Sequence, residues 1–70
     1  MDDNFTLEHF RTWDDIEPKP GGIMREVTKV RFFIGVHGPY ERTFDRGVDP
    51  SQIETAITDQ RNALRRLAAL

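Results

Sequence analysis

Seventy residues with no cysteine allow one domain and exclude a disulfide-stapled scaffold or a thiolate metal site. Twelve acids against ten bases leave a formal charge of −2, whereas a dedicated nucleic-acid binder usually shows a basic excess. No window is apolar enough to span a membrane, and the opening "MDDNFTLEH" is acidic without the apolar core of a secretory signal.

Charge is distributed unevenly along the chain. Residues 1–22 carry six acids and two bases, residues 23–48 three acids and five bases, and residues 49–70 three of each. An acidic arm therefore precedes a basic hairpin, placed to fold back on it or to reach a neighbouring copy. The arm ends in "EPKPGG", where prolines favour extended backbone and glycines release it, so residues 1–22 read as arm and linker. Inside the arm, Leu7, Phe10 and Trp13 recur near helical spacing behind Thr6 as an N-cap, which favours a short helical turn. Phe5, Leu7 and Trp13 also share one face of an extended strand. A floppy tail is the third reading, against which stands the density of aromatics in "FTLEHFRTW".

Residues 23–36, "IMREVTKVRFFIGV", form the clearest strand. Val30, Phe32, Ile34 and Val36 alternate on one face, with Val27, Lys29, Arg31 and Phe33 on the other. "HGP" then reads as the turn. A three-residue loop, His37–Pro39, sets Val36 opposite Tyr40 and Phe32 opposite Phe44, gathering the apolar residues on one side. A two-residue loop, Gly38-Pro39, sets Phe33 opposite Phe44 instead. The first is preferred, and either leaves Phe33 on the charged face. "YERTFDR" makes the second strand. Asp49 is placed as N-cap, Pro50 as first helical residue and Gln52 as the third member of a capping box. The helix runs from about Pro50 to about Ala69, with Ile53, Ala56, Ile57, Gln60, Leu64 and Leu67 on its apolar stripe. The fold class is α+β: an N-terminal extended arm, then residues 23–70 as a β-hairpin packed against one C-terminal amphipathic helix.

Such a unit is marginal alone. The entropy of ordering residues 23–70 roughly balances what its few large apolar side chains and its hydrogen bonds return. A two-stranded sheet also leaves two open edges. The expectation is an oligomer or a component of a larger assembly.

No catalytic constellation stands out. His9 and His37 lack further ligands at metal-binding spacing. The acid pairs Asp2-Asp3 and Asp14-Asp15 read as solvated arm, and Ser51, the sole serine, sits beside a helix cap with no base near it in sequence. "HGPY" and "PGGI" are too short to cradle phosphate. Arginines with interleaved aromatics can hold single-stranded nucleic acid, but Glu54, Asp59 and the acidic balance favour ion pairs with the arm or a neighbour. The interface set is Phe5, Leu7, Phe10 and Trp13 of the arm with Arg31, Phe33, Tyr40 and Arg65, since Trp and Arg concentrate in binding hot spots.

The run "VRFFIGVHGPYERTF" followed by "DPSQIETAITDQRNALRRL" resembles small structural or accessory proteins of tailed bacteriophages, over roughly residues 27–67. The resemblance implies a many-copy virion part, such as a capsid decoration, connector or tail component, and no catalytic residue. The expected function is thus a non-enzymatic structural subunit, without cofactor or metal, that docks onto copies of itself or a larger protein. Its location is the virion if the resemblance holds and the cytoplasm otherwise. The alternative is a small nucleic-acid-binding regulator.

Overall fold

The computed structural model describes residues 4–70, so the Asp2-Asp3 pair lies outside the described residues. Four elements follow in chain order: β1 (Leu7–Pro18), β2 (Met24–Ile34), β3 (His37–Asp45) and α1 (Pro50–Ala68). The strands form one antiparallel sheet in the order β1-β2-β3. The α+β class and the hairpin-then-helix order are those implied by the sequence, with a third strand added by the segment read as an arm.

That segment corrects the helical expectation. Leu7–Pro18 is a strand because β2 offers it a continuous antiparallel partner, from Leu7 opposite Ile34 to Pro18 opposite Met24. The weak helical spacing of three apolar residues loses to that ladder. "EPKPGG" closes a hairpin turn: the Lys19 amide donates to the Ile23 carbonyl at 2.7 Å, and the Gly22 amide donates to Lys19 at 3.3 Å. One extra residue interrupts β1 between Glu8 and Arg11, and His9 takes φ 52° there. This bulge reverses the alternation, so Leu7 faces the helix while Trp13, opposite Lys29, faces away. Phe5, Leu7 and Trp13 therefore do not share a face.

The β2–β3 turn also differs from expectation. Ile34 pairs with His37, so the turn is Gly35-Val36, and "HGP" lies inside β3 as a second bulge. Phe32 then faces Tyr40, and Phe44 faces Thr28, which keeps both aromatics on the helix side in a register neither loop choice gave. The turn needs Gly35: its φ is +60°, and a β-carbon there would overlap the Asn4 carbonyl. Val36, expected in the core, occupies the turn tip and is 90% exposed.

Val30, Phe32 and Ile34 are fully buried as their alternation requires, beneath Ile57 and Leu64 of α1. Phe5, Leu7, Tyr40, Phe44 and Ile53 pack around them. The helix follows its cap. Asp49 has extended backbone, its carboxylate accepts from the Ser51 amide at 3.0 Å, and Pro50 opens the first turn. The side-chain acceptance is at Ser51, while the Gln52 amide donates to the Asp49 carbonyl at 2.9 Å, so the reciprocal capping box is not formed. Leu67, placed on the apolar stripe by spacing, is exposed.

Candidate functional site

Register divides the sheet into two halves. β3 pairs with β2 only from Val27 to Ile34, and α1 returns over that same half, ending beside Asn4 and His37. The β1–β2 hairpin runs on past the Val27–Asp45 pair, and the molecule is correspondingly long, 49 × 21 × 19 Å. On its helix-side face the projecting hairpin carries Ile16, Pro18 and Met24, and no helix residue reaches them in the core cluster. Ile16 is 51% exposed, Met24 58% and Ile23, beside the turn, 65%. Phe10 lies on the same face of β1 and is 45% exposed.

The opposite face is polar around one buried residue. Val27 is fully buried yet belongs to no helix cluster. Its neighbours on this face are Asp15 and Asp45 across the strands and Arg25 and Lys29 along β2. Arg25 donates to Asp45 at 2.6 Å and lies 3.8 Å from Glu17, and Lys29 lies 3.7 Å from Asp15 and 3.6 Å from Glu17. The stems of Arg25 and Lys29 shield the valine while their heads stay in water. Arg46, at the end of β3, donates to Glu26 at 2.9 Å and to the Asp15 carbonyl at 3.1 Å, tying the three strands where the hairpin begins to project. The acidic arm thus neutralises the basic hairpin within one chain.

The eight residues singled out from the sequence separate into two groups. Phe5 and Leu7 fold onto their own core. The Phe5 ring stacks on His37 at 6.1 Å and lies 6.0 Å from the Arg65 guanidinium, while its carbonyl accepts from Arg61 at 3.0 Å. Tyr40 packs on Phe32 at 5.7 Å. The leftover Phe33 is half-buried on the charged face, where it meets the edge of His9 at 5.5 Å and none of the arm aromatics. Phe10 and Arg31 are exposed, and Trp13 is half-buried with the Arg11 guanidinium 5.7 Å above its ring. Ile16, Ile23 and Met24 were missed, because hydropathy alone cannot say which end of a hairpin a helix will cover.

An open groove at the covered end gathers Phe5, Glu8, His9, Val36 and His37. Among the described residues no group of three metal-ligating side chains forms there or elsewhere. Among the described residues no helix is long and apolar enough to cross a membrane. Among the described residues Asp49 is held below its ordinary carboxylate range by the Ser51 backbone and side-chain hydrogen bonds. The dominant surface feature is therefore an exposed sheet half with apolar residues and an open strand edge. Compared with protein-family models, curated proteins and solved structures, the chain matches none.

Proposed function

We propose that this chain is a non-enzymatic structural subunit that docks through its uncovered sheet half onto copies of itself or onto a larger assembly. One observation carries the reading: the helix side of the projecting hairpin exposes Ile16 and Met24 with no layer over them, and Ile23 is exposed beside the turn. A sheet is stable when its apolar face is covered, and contiguous exposed apolar surface marks interaction sites. The buried core is correspondingly small, six side chains among the described residues. A virion component of a tailed bacteriophage is the setting that the resemblance of residues 27–67 implies.

The experiment is a thermal melt followed by Trp13 fluorescence over a hundred-fold range of chain concentration, with the mass measured by light scattering. A melting temperature that rises with concentration, alongside a mass above that of one chain, is expected. A cooperative monomer whose melt ignores dilution overturns the reading.

A further inference from the structure

The two edges of the sheet are not equally open. The bulge changes which residues of β1 turn towards β2: before it Thr6, which accepts from the Gly35 amide, and after it the odd residues, as the Lys19 amide donating to Ile23 marks. The amides and carbonyls of Phe10, Thr12, Asp14 and Ile16 therefore point off the free edge. On β3 the residues facing outward are Pro39, Glu41 and Thr43. Pro39 has no amide to offer, and the Glu41 carbonyl already accepts from Arg42 at 2.9 Å. The β3 edge is thus blunted, while the β1 edge lies open from Phe10 to Ile16.

The β1 edge is also complementary to itself in one register. Two copies joined edge to edge by a two-fold normal to the sheet keep their faces aligned and pair residues of like parity. Centred on Trp13, this sets Arg11 opposite Asp15 of the partner subunit, Thr12 opposite Asp14 and Phe10 opposite Ile16, each occurring twice. Opposite charges meet on the polar face. The two half-exposed apolar residues of the helix side, Phe10 and Ile16, cover each other. Trp13 meets Trp13 as a non-hydrogen-bonded pair, in which side chains approach most closely. Neighbouring registers fail: centring on Arg11 or Asp14 puts like charges on the axis, and centring on Thr12 sets Phe10 against Asp14. One edge amide, that of Ile16, donates to its own Asp15 carboxylate at 2.8 Å, and release of Asp15 to the partner's Arg11 frees it for the ladder.

Building on the assembly reading above, we infer that the occupant of this edge is a second copy of the chain, paired antiparallel through β1 about Trp13, so that two three-stranded sheets become one continuous sheet. Each projecting hairpin then lies along the covered half of its partner, where Phe10 supplies the apolar contact its own helix does not reach.

The test uses the full chain. Sedimentation should give twice the 8.1 kDa chain mass. Arg11→Asp and Asp15→Arg should each weaken association roughly ten-fold or more, since each sets like charges opposite one another twice. An equimolar mixture of the two variants should restore the dimer, because both contacts become complementary again. The chain has no cysteine, so Trp13→Cys should form an interchain disulfide under mild oxidation, and Thr12→Cys, opposite Asp14, should not. Should either charge variant fail to fold, the cysteine pair still decides. A dimer insensitive to both charge changes, or one cross-linked equally well through position 12, overturns this register and leaves the assembly reading standing. A dilution-indifferent monomer overturns both.

Discussion

Near Gly35, Phe32 and Ile34 are buried beneath Ile57 and Leu64, while at the root of the projecting hairpin Val27 is equally buried with no helix above it. The first half closes its sheet with an apolar layer. The second closes a single valine with Arg25, Lys29 and their carboxylate partners, side chains that remain substantially exposed. Ion pairs at such exposure contribute under about 1 kcal/mol each, screened by salt, whereas burying one large apolar side chain is worth about 2 kcal/mol. The covered half therefore holds the fold, and the projecting half is charged and extended but thinly secured. The projecting half thus combines a charged face, an apolar face with no layer over it and an edge with unused hydrogen bonds.

Two core truncations separate the halves. Phe32→Ala removes the largest fully buried side chain and should cost about 3–5 kcal/mol. That is comparable with the whole stability of so short a chain, roughly 0.05–0.15 kcal/mol per residue, so the far-ultraviolet helix signal at 25 °C should largely disappear. Val27→Ala removes two methyl-sized groups from the polar side and should cost about 2 kcal/mol. Hydrogen exchange reads the contrast: amides of Asp15, Val27 and Glu17 should accelerate while those of α1 change little. Equal acceleration in strand and helix would make the sheet one cooperative unit and remove the distinction between its halves.

The same division explains what was legible in the amino acids alone. The helix announced itself through Asp49-Pro50 and the spacing of Ile53, Ile57 and Leu64, all local signals. The buried face of β2 was equally plain in Val30, Phe32 and Ile34. Strand β1 was not, since its pairing partner lies beyond a hairpin turn and a bulge at His9 reverses its alternation midway, erasing the period-two pattern. "HGP" has the signature of a turn because glycine and proline punctuate turns and bulges alike, and only the cross-strand register tells them apart. Of the proposed assembly surface, Phe10 and Trp13 were visible as aromatics in a charged segment. Ile16, Ile23 and Met24 were not, because their exposure depends on which half of the sheet α1 covers.

A smaller perturbation sharpens the comparison from the covered end. Gly35→Ala places a β-carbon against the Asn4 carbonyl at φ +60°. The backbone penalty alone is about 1–2 kcal/mol, and the N-terminal segment must also move away. Because that segment carries Phe5 and Leu7 into the core, the expected outcome is a lower melting temperature with loss of the Phe5–His37 ring contact, followed by nuclear magnetic resonance of the His37 ring. Retention of both would show that Asn4–Leu7 contributes little to closing this end.

The smallest expected effect concerns the start of α1, where the helix layer begins. The Asp49 carboxylate accepts from Ser51, and this holds its folded-state proton affinity below that of the unfolded chain. Between the two values the unfolded state binds more protons, so stability rises with pH through that window. The contribution is complete above the ordinary value of 3.8 and is lost as pH falls through the depressed one. Asparagine also caps helices but does not titrate there. Asp49→Asn should therefore leave the melting temperature at pH 7 close to that of the parent and flatten the acid limb of a stability–pH curve below pH 4. If the acid limb is unchanged, titration of the Asp49 cap does not couple measurably to folding, and the cap secures the start of the helix layer through its hydrogen bond alone.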